Sequence, residues 1–410
     1  MGQDDNVRSC PRCGALLAAG ERHCPYCGHW KKPFHFSPEI VLSLSGVLLI
    51  VLFFVTGFVS RAYHQKLNAL SQEWLLRGQQ DLKSANASRA IVDFRTALVY
   101  SPDDSQIQFR LAQGLAELGR DAEARAYLLG LLAQAPAGAP TNLALARLSA
   151  RAGSVSDALR YYHGAIFGVW PEDPAGRRLE TRFELCQFLL GRKDDSDAQA
   201  ELIALAPEIP RGDAELHARA GDMFVQAGDP TRGLEEYRQA LMSHPALVAA
   251  LRGAGLTEFQ LGDYRHAQEY LERAHREAGA DLDVTSTLEM TRLVLHADPF
   301  APGLKEDERR ERVRADFRQA YSRLETCLNA QNNSASSAKP QQPDLDALIT
   351  KAKAFRLRVN DTYLRRTEDL NAALEFAFEM EDACTKACGS PRDLDEALIL
   401  LQKSRQNGKQ

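Results

Sequence analysis

Four cysteines near the start of the chain have the spacing of metal ligands. They occur in two copies of one five-residue segment, Cys10-Pro-Arg-Cys13-Gly and Cys24-Pro-Tyr-Cys27-Gly, with ten residues between Cys13 and Cys24. Each segment predicts a tight turn that presents two thiolates, because the final glycine is free to take a positive φ. Two such turns facing each other would give a tetrahedral site with four sulfur ligands. A site with all four positions filled is typical of structural metal ions and not of catalytic ones.

A small folded segment must hold these two turns. Residues 8–30 resemble the zinc-ribbon family, and the resemblance implies a bound structural Zn²⁺ in a domain that we place at residues 1–36. So short a segment has almost no hydrophobic core, so the metal would supply most of its folding free energy, on the order of 10 kcal/mol. Two other interpretations stay open. The second turn alone is a redox motif, which would need a larger βαβ domain, and the four cysteines could form two disulfides if this end lies outside the cell.

An uncharged apolar segment follows, from Ile40 to Val59, between Glu39 and Arg61. A helix of this length measures roughly 30 Å, the thickness of the hydrocarbon core of a bilayer. We therefore predict one membrane-spanning helix over residues 38–60. A cleavable secretory signal is one alternative, although such signals have a shorter apolar region directly behind a short basic leader. A buried core helix is the other, although no other segment is apolar enough to surround it on all faces.

The composition excludes some classes of function. Of the 410 residues, 44% are hydrophobic and 26% charged, which is a globular composition apart from the apolar segment. The formal net charge is −5, so no basic excess exists to neutralise phosphates, and we expect no nucleic-acid partner. The sequence has no glycine-rich phosphate loop, HExxH motif or nucleophile elbow. We therefore predict that the protein is not an enzyme.

From residue 71 onward the chain repeats with a period of 34 residues. In the first unit, positions 4, 8, 20, 24, 27 and 32 are Trp74, Gly78, Ala90, Phe94, Ala97 and Pro102. This pattern resembles the tetratricopeptide repeat family. We place six repeats in residues 71–281, with starts near 71, 105, 139, 179, 214 and 248 and a six-residue insertion before the fourth. The resemblance implies helix pairs that stack into a right-handed α-solenoid, so we predict an all-α protein.

The resemblance also implies a groove, lined by the first helix of each repeat, that binds protein or peptide partners. Position 9 of these helices is polar, with Gln79, Gln113, Arg147, Gln187 and Asp222. Position 5 is apolar, with Leu75, Phe109, Leu143 and Phe183. An apolar row beside a polar one suits an extended peptide or a helix. The alternative is that these are ordinary solvated and packing positions.

Helical patterns continue beyond the repeats. We predict capping helices at 282–331, a flexible polar linker at 332–343 and a C-terminal helical module at 344–405. The amphipathic helix near 305–329 is expected to cover the exposed end of the last repeat. The module shows a break near Asn360, and Ser390-Pro391 predicts the start of a last helix.

Three cysteines lie in these terminal helices. Cys327 could form a disulfide with Cys384 or Cys388 in an oxidising compartment, and the sequence leaves both pairings open. In a simple antiparallel hairpin Cys327 would face the start of the second helix, so either pairing requires a fold-back near Asn360. The alternative is three free, buried thiols.

The orientation in the membrane is predicted from cysteine chemistry, because the positive charges on the two sides of the apolar segment are balanced. Thiolate zinc sites persist where cysteines stay reduced, and a long polar domain after a first helix is routinely translocated. We predict a single-pass protein of the plasma (inner) membrane, with the amino terminus in the cytoplasm and the repeats in the periplasm.

The predicted function is a membrane-anchored scaffold that binds protein partners, in the assembly or organisation of cell-envelope proteins. The combination of parts looks like that of bacterial membrane proteins of this architecture. One alternative is a transmembrane sensor that couples partner binding by the repeats to an output of the ribbon. The other is an adaptor whose repeats face the cytoplasm. The sequence gives no oligomeric state.

Overall fold

The structure is a computed structural model that describes residues 8–18, 21–29, 37–279, 281–333 and 343–407. The chain divides into two compact units, Met1–Leu131 and Leu132–Gln410. Regular structure in the described residues is a two-residue strand pair, two short 3-10 turns and seventeen α-helices. The predicted linker 332–343 falls mostly outside the described residues, between the end of one helix at Asn333 and the start of the next at Pro343.

The strands and the helices of the first unit come first in the chain. They are β1 (Arg8–Ser9), β2 (Leu16–Leu17), α1 (Pro38–Lys83), α2 (Ala87–Tyr100), α3 (Ser105–Glu117) and α4 (Asp121–Gln134), the last of which ends beyond the unit boundary. The second unit contains α5 (Ala139–Arg151), α6 (Val155–Ile166), α7 (Pro174–Gly191), α8 (Asp195–Leu205), α9 (Ala214–Gln226), α10 (Pro230–Ser243), α11 (Val248–Leu261) and α12 (Tyr264–Ala278). It ends with α13 (Leu282–Ala297), α14 (Glu306–Asn333), α15 (Pro343–Arg356), α16 (Thr367–Cys388) and α17 (Asp393–Asn407).

The first unit contains one helix, α1, that is longer than the sequence predicts. We expected a membrane-spanning helix ending near residue 60 and a separate repeat helix beginning near residue 71. In the structure α1 runs through both for 46 residues. The intervening residues 61–70 contain neither glycine nor proline, so nothing in the backbone ends the helix there. The apolar segment and the first repeat therefore share a single helix.

The carboxyl-terminal part of α1 packs against α2, as the repeat pattern predicts. The two helices approach closely at Gly78, where an added Cβ would lie 2.5 Å from a ring carbon of Phe94. Phe94, Ala90 and Ala97 are fully buried between the helices. Small residues at the crossing points and one large ring between them explain this pair.

The second unit contains four consecutive helix pairs of the same kind: α5 with α6, α7 with α8, α9 with α10, and α11 with α12. The second helix of each pair also contacts the first helix of the next, and α7, α9, α11 and α13 lie side by side. Close approaches recur at Gly221, which faces the ring of Tyr237, and at Gly255, which faces Leu271. This stacking buries a continuous core that no pair could form alone.

The insertion before the fourth repeat lengthens a helix. The sequence predicts that this repeat begins near residue 179, but α7 begins at Pro174. Asp173 takes a positive φ of 42° and accepts a hydrogen bond from the backbone N–H of Gly176. An N-terminal cap followed by proline in the first turn favours this earlier start.

The end of the repeats is covered by a different helix from the one that the sequence suggests. We expected the helix near 305–329 to cover it, but α14 packs mainly against α16. The last helix, α17, packs on α13 instead, and its Leu398 and Leu401 are buried with Val294 of α13. The hydroxyl of Tyr264 in α12 donates to the carbonyl oxygen of Leu400 at 3.2 Å. The apolar face of α14 is already occupied by α15 and α16, which leaves the repeat end to α17.

The C-terminal helices fold back near Asn360. α15 ends at Arg356 and α16 begins at Thr367, and in between the Asn360 side chain accepts a hydrogen bond from the N–H of Tyr363 at 2.9 Å. This break lets α16 lie along α14. The last helix begins at Asp393 and not at Ser390-Pro391 as predicted, so those two residues belong to the loop before α17.

Candidate metal centre and partner-binding face

Two turns of the same geometry carry the four cysteines. The backbone N–H of Gly14 donates to the carbonyl of Cys10, and that of Gly28 donates to the carbonyl of Cys24, both at 2.9 Å. Both glycines have positive φ, 71° and 66°. The first turn is closed by the antiparallel pairing of β1 with β2. The repeated sequence thus produces a repeated backbone shape, as its glycines predict.

The four sulfur atoms face one another. All lie within 4.8 Å of each other, with Cys10 Sγ 3.7 Å from Cys27 Sγ and Cys13 Sγ 3.6 Å from Cys24 Sγ. A zinc ion with Zn–S bonds of about 2.3 Å at the centre of a tetrahedron would separate its ligands by about 3.8 Å. The cysteines therefore form a candidate metal centre whose donor number and spacing fit a tetrahedral ion.

Two cysteines of this centre, Cys10 and Cys27, differ strongly in the pKa of their thiols. Backbone N–H groups of Arg12 and Cys13 lower the pKa of Cys10 to about 6. The pKa of Cys27 is raised to about 12 despite a backbone hydrogen bond at His29, because Cys13, burial and Cys10 all disfavour its thiolate. Several thiolates this close together repel each other, and a divalent cation removes that penalty by binding them.

The amino-terminal part of α1 presents an uncovered apolar surface. Its most apolar 18-residue window has a mean hydropathy of 2.6, and none of that window is buried. Large side chains such as Phe53 and Phe58 are 75% exposed. Among the described residues, α1 is one helix that by length and composition is capable of crossing a membrane.

In the first unit, the residues expected to line a groove are only partly accessible. Leu75 is 2% exposed and belongs to the core between α1 and α2. Gln79, Phe109 and Gln113 are half-buried, and the side-chain oxygen of Gln113 accepts a hydrogen bond from Arg110 at 3.0 Å. Leu75 is therefore a packing residue, which is the alternative that the sequence left open.

In the second unit, the polar positions expected to line the groove are exposed, whereas the two apolar positions differ in how far they are buried. Arg147, Gln187 and Asp222 are exposed, and Leu143 is half-buried. Phe183 is fully buried, with the guanidinium carbon of Arg219 lying 4.2 Å from its ring centre. Phe183 therefore packs beneath a cation and does not itself offer a free apolar surface.

Ion pairs join neighbouring first helices, and the repeat pattern in the sequence did not predict them. Arg147 on α5 donates two hydrogen bonds, of 2.8 and 2.7 Å, to Glu184 on α7. Arg219 on α9 donates to Glu180, one turn before Glu184, at 3.3 Å. The only sequence signal was the spacing of Glu180 and Glu184, which places both on one face of α7. These bridges connect neighbouring first helices across the surface that they form.

A further polar contact links a second helix to this surface. The hydroxyl of Tyr237 on α10 donates to the carboxylate of Asp222 on α9 at 2.6 Å. Burial and the neighbouring Asp222 raise the pKa of Tyr237 far above its usual range. Tyr237 thus remains a neutral donor and holds the Asp222 side chain in place.

The terminal cysteines are brought together by the fold-back. Cys327 on α14 and Cys388 at the end of α16 form a disulfide with a Cα–Cα distance of 5.7 Å. Cys384, the other partner that the sequence allowed, is a fully buried thiol, and burial raises its pKa to about 11. Cys186 in α7 is also a buried thiol, with a pKa raised to about 12 by burial.

Comparisons with known proteins match three parts of the chain. Two tetratricopeptide repeat family models match residues 57–168 and 218–281. A zinc-ribbon domain model matches residues 6–29, which contain the four clustered cysteines. Together these matches cover the metal centre, the chain from the middle of α1 to α6, and α9 to α12.

One curated relative is cellulose synthase operon protein C of Escherichia coli K12, which is 28% identical over 237 residues. The match covers 54% of this chain and 20% of the relative, so the chain spans about a fifth of that protein's length.

Solved structures with a similar arrangement include YrrB, described as a tetratricopeptide repeat protein with an unusual peptide-binding site. It is 16% identical with a TM-score of 0.37, and the match covers 47% of this chain and 96% of YrrB. Another is PilW, a type IV pilus biogenesis factor, at 15% identity and a TM-score of 0.40, covering 54% of this chain and 99% of PilW.

The family matches and the helix packing agree on the parts that they both cover. Arrays of these repeats serve protein–protein interaction, and the fold is generally not enzymatic. Residues 57–168 and 218–281 are therefore tetratricopeptide repeats, residues 6–29 are a zinc-ribbon domain, and the chain is in broad terms a scaffold for protein interaction.

Proposed function

We propose that this protein is a single-pass membrane scaffold, with a cytoplasmic zinc ribbon and with repeats outside the cytoplasm that hold or assemble envelope proteins. The observation that carries the proposal is α1, whose exposed apolar window continues without a break into the first repeat. An anchor joined in this way would keep the first repeat close to the membrane surface.

The metal centre supports the placement of the amino terminus. Its four sulfurs are spaced for a tetrahedral ion, and zinc bound by four cysteines persists where thiols stay reduced. Zinc would stabilise the folded ribbon there. With its four coordination positions filled by sulfur it would leave no open position, so the ribbon acts as a structural or partner-binding element.

The terminal disulfide supports the opposite placement for the repeats. The Cys327–Cys388 bond lies in the same unit as α5 to α12, and such bonds persist in oxidising compartments. One chain that contains both a reduced cysteine cluster and a disulfide fits a protein with parts on two sides of a membrane.

The partner-binding surface proposed here is the face formed by the first helices of the repeats. In the second unit it presents Arg147, Gln187 and Asp222 to solvent, beside the half-buried Leu143. Ion pairs hold several of its side chains in fixed positions, which lowers the entropy lost when a partner binds.

Thiol labelling of intact bacterial cells tests the topology. Two variants of the full chain each add one exposed cysteine, Arg22→Cys in the ribbon and Lys353→Cys in α15, and a small membrane-impermeant maleimide is applied before and after lysis. We expect Lys353→Cys to be labelled in intact cells and Arg22→Cys only after lysis. The unmodified chain gives the background, because its other cysteines are clustered, bonded or buried.

Two outcomes would contradict the proposal. Protection of Lys353→Cys until lysis would place the repeats in the cytoplasm and favour the adaptor. Release of the protein from membranes by alkaline carbonate would show that α1 is no anchor. Zinc analysis of the purified protein, with one ion expected per chain, checks the ribbon independently of topology.

A further inference from the structure

A stripe of four α14 residues holds the junction between α16 and α17. The residues are four positions apart, Gln319, Arg323, Cys327 and Gln331, so they lie on one face of the helix. Each of them contacts the last turns of α16, the loop after it or the first turn of α17. We call this set of contacts the latch.

The polar part of the latch is centred on Arg323. Its guanidinium forms an ion pair with Glu381 on α16, which is fully buried, and donates to the carbonyl of Gly389 at 3.0 Å. The same guanidinium lies 3.7 Å from Asp395 on α17, which also accepts a hydrogen bond from Gln319 at 2.8 Å. One side chain therefore ties α14 to both helices of the junction.

The covalent part of the latch is open to solvent on one side. Cys327 is 4% exposed, but Cys388, at the last residue of α16, is exposed. A reductant can therefore reach the bond from the Cys388 side. Gln331 adds a hydrogen bond to the carbonyl of Ala387 at 3.3 Å, so the disulfide lies between polar contacts on both sides.

The junction that the latch holds also positions the cover of the last repeat. α17 starts four residues after Gly389 and buries Leu398 and Leu401 against Val294 and Ala297 of α13. Without α17, these apolar side chains of α13 would lose part of their cover. The position of α17 thus depends on contacts at its own start as well as on its apolar face.

We propose that the Cys327–Cys388 disulfide is a redox-sensitive switch that, when oxidised, keeps α17 packed on α13. In the oxidised protein the latch keeps α17 on α13. A dithiol reductant transfers two electrons and two protons to the bond, which becomes two thiols while the dithiol becomes a disulfide. The reduced latch keeps only its polar contacts, so α17 leaves α13 more often and the apolar side chains that it covers become exposed.

Cys384 does not provide an alternative switch. It lies one turn before Cys388 on α16 but is fully buried, so few reagents reach it. Reduction therefore leaves three thiols in the terminal helices, of which Cys388 is the exposed one. This gives the reduced state a chemical marker.

Hydrogen–deuterium exchange of the full chain in nanodiscs tests the proposal, with mass spectrometry before and after treatment with dithiothreitol. We expect amides in α13 and α17 to exchange at least about tenfold faster after reduction, while those in α9 and α10 are unchanged. Reoxidation should restore the original rates. The variant Cys388→Ser should behave as the reduced protein does and should not respond to dithiothreitol.

The matched control is Cys186→Ser, which removes a buried thiol inside a repeat and should still respond to the reductant. Faster exchange throughout the second unit would show a disulfide that only supports global stability, and unchanged exchange in α13 would show that the bond does not control the cover. Either result overturns the proposal. Both are independent of which side of the membrane the repeats occupy, so failure here is distinct from failure of the proposed topology.

Discussion

The chain's cysteines differ in what surrounds each sulfur. At Cys10, two backbone N–H groups favour the thiolate, which is the form that binds a metal. At Cys384 and Cys186, burial raises the pKa and favours the neutral thiol, and the carboxylates of Glu381 and Glu201 act in the same direction. Spacing along the chain revealed the first group. It did not reveal which of the distal cysteines pair, because that depends on how the helices fold back.

Asp316 is a buried carboxyl group on α14 that the sequence did not single out. It is 2% exposed, and one of its oxygens has no hydrogen-bond partner within the described residues. Burial raises its pKa to about 8, with Asp298 acting in the same direction and Arg312 against it. The folded protein therefore keeps a proton at Asp316 that the unfolded chain loses above about pH 4.

The variant Asp316→Asn tests this protonation. Because only the folded state holds the proton between about pH 4 and pH 8, the wild-type free energy of unfolding should fall as pH rises through that range. The variant lacks this titration, so its stability relative to wild type should increase by on the order of 3 kcal/mol between pH 5 and pH 8. Urea unfolding at several pH values measures the difference.

Asp346→Asn is the matched control, because it removes an exposed carboxylate from the neighbouring helix α15. A constant difference between Asp316→Asn and wild type at all pH values would contradict the assignment. A difference that appears equally in Asp346→Asn would point to net charge and not to burial.

At the scale of the helices, the two helices of a repeat pack closely where a small residue lies at their crossing point. Gly255 on α11 lies against Leu271 on α12, and an added Cβ would be 2.7 Å from a carbon of that side chain and 3.2 Å from its backbone nitrogen. Gly255 is position 8 of the repeat that starts near residue 248, the position that Gly78 occupies in the first repeat. The structure shows the reason, since the two helices could not approach as closely with any side chain there.

Gly255→Ala should therefore destabilise the second unit, by about 1–3 kcal/mol, because the helices must separate to admit a methyl group. Gly130→Ala on α4 is the matched control: an added Cβ there has no neighbour within 4 Å. It should be neutral or stabilise its helix by up to about 1 kcal/mol, since alanine favours helix more than glycine does. Thermal unfolding monitored by circular dichroism compares them, and equal effects of both variants would argue against packing at Gly255.

The length of α1 is a property that the register did not predict. Periodicity placed one helix before residue 60 and another from residue 71, because the apolar and repeat patterns are different. The backbone stays helical from one segment to the other, since residues 61–70 contain no helix-breaking residue. Two functional segments therefore share one element.

At the scale of the whole molecule, the metal centre and the helices are stabilised by different forces. The ribbon has a two-residue strand pair and few apolar side chains, so bound metal would supply most of its stability. The second unit is stabilised by buried apolar side chains between helices. Removal of the metal should therefore affect one and not the other.

A strong zinc chelator added to the purified protein should release one zinc ion per chain and unfold the ribbon, leaving the helical signal and its thermal transition within about 1 °C of the untreated protein. A colorimetric zinc assay and circular dichroism at 222 nm follow the two events. The variant Cys24→Ser should resemble the chelated protein. A large loss of helical signal on chelation would contradict this separation.

Local chemistry and period were readable in the sequence by itself. The four-cysteine spacing, the apolar segment and the 34-residue repeat each depend on residues close in the chain, so their consequences follow without knowledge of the fold. The same holds for the break near Asn360, where turn-forming residues interrupt a helical pattern.

Only the tertiary structure decided which distant residues meet. It paired Cys327 with Cys388, placed α17 on α13, buried Leu75 and Phe183, and joined the first helices by ion pairs such as Arg147–Glu184. Each outcome depends on which apolar faces remain uncovered after their nearest neighbours have packed. Which faces remain uncovered is decided by the packing of the whole unit. The order of residues within any one helix therefore does not predict these contacts.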